Sequence, residues 1–294
     1  MSVVCLGKFD ALHRGHRALA ACAAASGDSV RLVCFSGMAE ALGWQPRLPL
    51  TAPSDRARIL ASWPGAPGEV ALPFAEVREL DAASFVHLIA HRLGATAMVV
   101  GEDFRGGRGR YADVAAFAEA GRAAGVQVLA VAAVADALGP VSSTRVRSAL
   151  AAGELATVEA LLGRRHRLVG TVVRGDGRGK KIGIPTANLG HRENQEPGPG
   201  VYAAWAFIGD HRIPAVVNIG TVPTAGEDRP LTVEAHLLDW QGDCYGQPLA
   251  LECVQRIRTE QRFASFNDLV AQIHTDIATA QTIFQDHTEL QKCS

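Results

Sequence analysis

Short apolar runs alternate with longer segments of helical periodicity along the first half of this chain. Val3–Leu6, Val30–Phe35, Ala97–Val100 and Val126–Val131 read as buried strands, each a brief apolar run bounded by turn-forming or polar residues. Gly15–Ala25, Ser54–Ser62, Ala82–Leu93 and Ala112–Ala124 read as helices, and Ser143–Leu150 and Leu155–Leu162 as two short ones that end the half. Such alternation predicts an α/β domain, a parallel sheet with helices on both faces. After Gly163 the texture changes. Arg167–Val173, Gly200–Ile208, Ile213–Ile219, Leu231–Leu238 and Gln247–Arg256 are strand-like, with Gly, Pro and Asn between them. Helix returns only at Phe266–Thr282, where Leu269, Ile273, Ile277 and Ala280 form an apolar stripe. A run of strands closed by one helix predicts a small β-barrel or sandwich. The change of texture sets a boundary within 150–165, giving domains over 1–162 and 163–294.

Composition narrows the reading. With 294 residues, 48% hydrophobic and 20% charged, the chain can build packed interiors for two ordinary domains. A formal net charge of −1 supplies no overall basic field for a nucleic-acid backbone, so no nucleic-acid partner is expected. The six cysteines (Cys5, Cys22, Cys34, Cys244, Cys253, Cys293) lack Cys-x-x-Cys spacing, which argues against a zinc site or a disulfide framework. They are expected to be small buried apolar residues, with Cys293 a loose thiol near the end. The first residues enter an apolar strand without a basic region or cleavage site, and the longest apolar run, Val126–Val134, is too short to cross a bilayer. The expectation is a soluble cytoplasmic protein without a membrane partner.

Three stretches carry candidate chemistry. Gly175 to Arg178 leads into Gly179-Lys180-Lys181-Ile182-Gly183-Ile184-Pro185-Thr186-Ala187-Asn188. Its glycines let a backbone pass close to phosphates, and Thr186 and Asn188 offer neutral oxygens suited to a magnesium ion that carries nucleotide phosphates. No Gly-Lys-Ser/Thr closes the stretch, so it is a phosphoryl-transfer site of another design than the P-loop. Glu234 lies in the alternating strand Thr232-Val233-Glu234-Ala235-His236, where it shares a face with His236. A carboxylate among apolar neighbours is suited to accept a proton; the plainer reading is a solvated strand glutamate. Nearer the start, Gly7-Lys8-Phe9-Asp10-Ala11-Leu12-His13-Arg14-Gly15-His16 follows a strand and opens a helix. His13 and His16 can face the same way on the first turn and, with the free N–H groups there, grip phosphates that Gly15 lets approach. Ser142-Ser143-Thr144-Arg145-Val146-Arg147 joins capping hydroxyls to arginines able to neutralise a leaving pyrophosphate. Asp103, in Gly101-Glu102-Asp103-Phe104-Arg105, either orients a ligand's ring or ribose or caps a turn.

Together the N-terminal elements resemble the adenylyltransferase half of bacterial bifunctional riboflavin kinase/FAD synthetases, over about residues 1–162. The resemblance implies a Rossmann-like nucleotidyltransferase domain in which the phosphate of FMN attacks the α-phosphorus of ATP, giving FAD and pyrophosphate. By the same resemblance His13 and His16 hold ATP phosphates within a frame of Gly7, Phe9, Asp10 and Gly15. Ser143, Thr144 and Arg147 hold the triphosphate tail, and Asp103 lies on the flavin side. The chain also departs from the pattern. Phe35-Ser36-Gly37-Met38-Ala39 stands where members carry Phe-x-Pro-His-Pro, Lys8 replaces the usual Asn, Ala11 the usual Gly, and Gly106 a common aromatic. Without that histidine one phosphate contact is missing and the flavin pocket is expected to differ.

The second half resembles the riboflavin kinase domain of the same enzymes over about residues 165–282. The match runs through Gly183-Ile184-Pro185-Thr186-Ala187-Asn188, Gly200-Val201-Tyr202-Ala203, Val217-Asn218-Ile219-Gly220-Thr221-Val222-Pro223-Thr224, Val233–Trp240, Tyr245-Gly246 and Arg258-x-Glu260-x-x-Phe263. It implies Mg²⁺ at Thr186 and Asn188, ATP at Lys180, Gly183 and Pro185, and Glu234 as general base for the 5′-hydroxyl of riboflavin. Asn218, Arg258 and Glu260 are flavin-side candidates, although Arg258 and Glu260 equally suit an exposed ion pair. His236 is expected to be structural or to orient Glu234, Asp239 and Asp243 to shape a turn, and the tryptophans to be core or rim, with Trp240 the best exception. The reading is an enzyme with ATP, riboflavin and FMN as substrates. Beside it stand a kinase with a degenerate or repurposed first domain, as the 35–39 segment allows, and a non-catalytic flavin or nucleotide sensor, which would need no metal ligands and base together. A nucleotidylyltransferase for another phosphate-bearing substrate would leave the second half unexplained.

Overall fold

The alternation of the first half becomes five parallel strands: β1 (Ser2–Leu6), β2 (Ser29–Ser36), β3 (Gly68–Pro73), β4 (Ala97–Gly101) and β5 (Gln127–Val131), in the order β3-β2-β1-β4-β5. The computed structural model describes residues 1–27, 29–175, 177, 179, 183–220 and 231–292, with side chains through residue 286. Helices α1 (Arg14–Ser26), α2 (Met38–Ala41), α3 (Arg56–Ala61), α4 (Phe74–Val77), α5 (Ala82–Leu93) and α6 (Val114–Ala124) connect them. One face of the sheet buries Val3, Cys5 and Leu32 against Leu19, Ala20, Ile59 and Leu60 of α1 and α3. The other buries Val4, Leu6, Met98 and Val100 against Phe85, Val86 and Ile89 of α5 and Phe117 of α6. Strands covered on both faces need no polar alternation, which is why they read as unbroken apolar runs. The edge strand β3 and the one-turn helices α2 and α4 were not predicted. β3 is Gly-Glu-Val-Ala-Leu-Pro, an edge strand held by backbone register to β2 and too mixed in sequence to announce itself.

The second half forms a closed barrel. Its strands are β8 (Arg167–Val173), β9 (Ala187–Gly190), β10 (Gly200–Ile208), β11 (His211–Gly220), β12 (Thr232–Leu237) and β13 (Pro248–Arg258), in the order β10-β11-β12-β9-β8-β13. Strands β6 (Ala135–Asp136) and β7 (Gly139–Pro140), earlier in the chain, form a small separate hairpin. Of barrel and sandwich, the barrel is realised, and closure between β10 and β13 removes the free edges. Its lumen takes Leu168, Tyr202, Ala204, Val217, Ala235 and Leu251, with small residues where the strands crowd. Outside, Val201, Ala203 and Val216 pack on Ala280, Ile283 and Phe284 of α9 (Phe266–Lys292). α9 runs ten residues past the predicted end because no Gly or Pro follows Thr282 to stop it.

The chain divides into two compact units, Met1–Leu48 with Asp55–Ser143, and Pro49–Ser54 with Thr144–Ser294. The second therefore includes α8 (Leu155–Leu162) and, from Thr144 on, α7 (Ser143–Ala152), besides a short strap from the first half. Within that unit the Pro49 carbonyl accepts from the Gln195 N–H at 2.8 Å, the Leu50 carbonyl from Asn194 Nδ2 at 3.2 Å, and Ala52 packs on Val169 and Ala250. Asn194 is fully buried and also accepts from the Val169 N–H, so its amide satisfies strap and barrel backbone at once.

Candidate active sites

In the first unit the strand order reverses between β1 and β4, and there a cavity of about 590 Å³ opens at the carboxyl ends of the strands. Gly7, His13, Gly15, His16, Asp103 and Ser143 all line it, gathered from three separate stretches of sequence. His13 is the N-cap of α1. The His16 N–H donates to His13 Nδ1 at 3.4 Å, the His13 N–H donates to His16 Nδ1 at 3.3 Å, and the rings stack with centroids 3.7 Å apart. This reciprocal cap makes both Nδ1 atoms acceptors, so each neutral ring carries its proton on Nε2. Both imidazoles are thus prepared as donors toward an anion. The loop before them is built on left-handed backbone at Phe9 (φ 48°) and Leu12 (φ 47°), unusual for side chains of that size.

Two of the predicted frame residues contribute differently. Phe9 is fully buried in the core with its ring 4.9 Å from that of His16, and its carbonyl accepts from Arg56 Nη1 at 2.9 Å. Asp10 is half-buried and does not line the cavity.

Sequence reading missed the opposite wall. Gly37 takes φ 68°, a left-handed turn that proline's ring forbids, and sends the chain after β2 into the single turn α2. Met38, Leu42 and Trp44 then line the cavity with Phe35, where a Pro-His-Pro segment would stand in the family pattern. Lys8, at the end of β1, also lines it, with its ammonium 4.5 Å from the centre of a Trp44 ring.

In the barrel the register does the gathering. Asn188 on β9 pairs with Glu234 on β12, and Glu234 pairs with Asn218 on β11. Asn218 in turn faces Val201 on β10, whose other neighbour is Arg258 on β13. Directly paired residues share a face. Since Val201 packs on α9, the row Asn188–Glu234–Asn218 lies on the outer surface of the barrel rather than in its lumen. Glu234 and Asn188 are half-buried and Asn218 is exposed. Gly175, two residues past the end of β8, passes so close to Asn188 that a Cβ there would fall on its amide.

His236, two residues from Glu234, donates from Nδ1 to the Pro185 carbonyl at 2.8 Å and so ties β12 to the Pro-Thr-Ala-Asn segment. Thr186 is half-buried, and Gly183 (φ 76°) and Pro185 are exposed beside it.

The remaining candidates are placed as follows. Arg258 grips Asp276 of α9 through Nε and Nη2 at 2.9–3.0 Å, and Asp276 is only 2% exposed. Its ion pair is thus with the closing helix and not with Glu260, whose carboxylate lies against Gly220 at the end of β11. Arg147 donates from Nη1 to Gln195 Oε1, and both Thr144 and Arg147 belong to the barrel unit. Lys180 and the Thr221–Thr224 motif lie outside the described residues, as does Cys293. Of the other cysteines Cys5 and Cys253 are buried, and burial pushes both thiols up to about 12. Cys22, Cys34 and Cys244 are only partly buried, a departure from the expected full burial. No helix among the described residues is long and apolar enough to cross a membrane.

Fold and site geometry together define a two-part transferase: a nucleotidyltransferase-type α/β unit and a flavokinase-type barrel. The FAD synthetase family pattern matches residues 1–145 and the riboflavin kinase pattern residues 162–284. The bifunctional riboflavin kinase/FMN adenylyltransferase of Escherichia coli K12 is 36% identical over 96% of this chain and 92% of its own length. FAD synthetase 1 of Arabidopsis thaliana chloroplasts is 38% identical over 74% of this chain and 68% of its own. A crystal structure described as a macrolide-efflux protein of Streptococcus pneumoniae shares the fold, with a TM-score of 0.83 at 29% identity, covering 95% of this chain and 93% of that one. The chain belongs to the bifunctional riboflavin kinase/FMN adenylyltransferase family.

Proposed function

We propose that this protein phosphorylates riboflavin to FMN on the outer face of its barrel and adenylylates FMN to FAD in the cavity of its α/β unit, using ATP in both reactions. The observation that carries the reading is the backbone register that sets Glu234 between Asn188 and Asn218, with Gly175 close against Asn188. Glu234 takes the proton of the ribityl 5′-hydroxyl as that oxygen bonds to the γ-phosphorus and the bond to the departing ADP breaks, and Asn218 orients the flavin chain. The neutral oxygens of Thr186 and Asn188 fit Mg²⁺ bound to nucleotide phosphates, and the metal supplies charge neutralisation on those phosphates. Gly183, Pro185 and Lys180 form the nucleotide side of this site, with Glu260 near the flavin; Arg258 acts at one remove, by fixing α9.

In the cavity His13 and His16 donate from Nε2 to the phosphates of ATP at the start of α1, where the backbone N–H groups add their own attraction. Gly7 and Gly15 allow the approach, and Phe9 and Asp10 hold the loop in shape. Ser143 meets the departing pyrophosphate, and Asp103 orients the flavin or ribose. No covalent intermediate is needed: the FMN phosphate oxygen bonds to the α-phosphorus as the bond to pyrophosphate breaks. We place the functional boundary at 162/163, and the protein in the cytoplasm, where free thiols and these substrates coexist.

Incubation of the purified protein with ATP, Mg²⁺ and either riboflavin or FMN, followed by separation of the flavins, tests both halves. FAD from both substrates is expected. FMN from riboflavin without FAD would leave a kinase whose first unit serves another purpose, and no product from either would refute the reading.

A further inference from the structure

The α/β cavity lacks a histidine at the end of β2, and its wall there is the apolar run through Met38, Leu42 and Trp44. The adjoining strand end is different. β1 pairs directly with β2, and the residue that follows Gly7 at its carboxyl end is Lys8. Its ammonium lies over the Trp44 ring at 4.5 Å and, among the described residues, has no ion-pair partner. Arg78, Arg105 and Arg110 line the same cavity, against the carboxylates of Glu79 and Asp103. Its lining therefore carries more positive than negative side chains and is apolar along one side.

From this arrangement we infer that Lys8 is a substrate-binding residue of the adenylyl-transfer site, its ammonium meeting the phosphates of ATP with the Trp44 indole holding it in position. The inference rests on the adenylyl-transfer reading of this cavity. Partial burial, and then the positive charges of Arg110 and Arg47, hold the Lys8 ammonium below the usual lysine range, with Asp10 opposing. A cation crowded by other cations gains when a polyanion enters, which is the electrostatic condition for a phosphate contact. The indole face contributes by attracting the ammonium without neutralising it, as a carboxylate would. Lining the same cavity as the His13–His16 pair, Lys8 supplies the positive charge that Gly37-Met38-Ala39 does not.

The test uses the full-length protein and the variants Lys8→Met, Lys8→Arg and Trp44→Leu. Binding of inorganic pyrophosphate is measured by calorimetry, and turnover of FMN to FAD and of riboflavin to FMN in parallel. Lys8→Met is expected to weaken pyrophosphate binding about 10-fold and to lower kcat for FAD formation by about 10²-fold, leaving riboflavin phosphorylation unchanged. Lys8→Arg should restore most of both, and Trp44→Leu should lose less than Lys8→Met. Wild-type pyrophosphate affinity in Lys8→Met would overturn the inference. Absence of FAD from the wild-type protein would instead refute the adenylyl-transfer reading, and the pyrophosphate titration would still decide whether Lys8 binds the anion.

Discussion

The two candidate sites are assembled by opposite means. The cavity of the α/β unit is lined largely by loops at strand ends, pieces of chain that can be rebuilt without disturbing the sheet. The site on the barrel is a row across adjoining strands, in which Asn188, Glu234 and Asn218 are held by the ladder itself. A one-residue slip in β12 would turn Glu234 into the lumen. The difference explains where the chain has departed from its family. Lys8, Gly106 and Met38, each a departure from the family pattern, line the first cavity from loops and strand ends, whereas the row in the barrel keeps the residues of that pattern.

Removing the centre of the row should break the comparison most sharply. Glu234→Gln is expected to lower riboflavin phosphorylation by about 10²–10⁴-fold while FAD formation from FMN stays at the wild-type rate, as assayed on each substrate separately. His16→Ala should do the reverse, lowering FAD formation by about 10²–10³-fold with the kinase intact. Because His16 also closes the α1 cap, its melting curve should show a loss of about 1 kcal/mol that a purely chemical role would not produce.

Asp276→Ala tests the support of the barrel site. It strands the Arg258 guanidinium in a largely buried position, and denaturant titration should show a loss of about 3–5 kcal/mol confined to the barrel unit. A smaller effect is expected from Gly37→Ala. The left-handed turn before α2 has open space around it, so the cost is conformational, about 1 kcal/mol. FAD formation should fall a few-fold as the Met38–Trp44 wall shifts, and riboflavin phosphorylation should not change.

The smallest effect is a pH dependence in the first unit. Asp81 caps α5, and its hydrogen bonds with Ser84, the backbone one first, hold its carboxyl below the usual carboxylate range. A group whose folded pKa is depressed gives stability that is present above the ordinary carboxylate pKa and lost as pH falls through the folded one. Asp81→Asn keeps a capping side chain and should abolish that acid-side slope in a series of melting curves.

Much of this architecture was legible in sequence because it is local. Buried parallel strands announced themselves as short apolar runs, α5 as the span Ala82–Leu93, and β8 and β10 with their observed ends. That the His13–His16 pair lies together was legible, since residues three apart at a helix start share a face wherever the helix lies. Its reciprocal cap, which sets the proton on each Nε2, was not, because it depends on the conformation of the residues before the helix. Edge strand β3 and helix α2 escaped notice because their sequences carry no period and their geometry is imposed by β2 and by one left-handed glycine.

The sequence by itself determined the main helices and strands, the change from α/β to β, and the candidate residues for the proposed chemistry: two histidines at a helix start, Thr186 and Asn188 after glycines, and a strand glutamate. Those properties depend on neighbours within a few positions, where side-chain periodicity and backbone preference are decisive. Tertiary structure alone decided that the Pro49–Ser54 strap joins the barrel, that Arg258 holds Asp276, that Glu234 stands between two asparagines, and that Lys8 meets Trp44 across the cavity. Each joins residues far apart in the chain, and which distant faces meet is settled only when the burial of apolar surface and the closing of strand ladders select one register over the others.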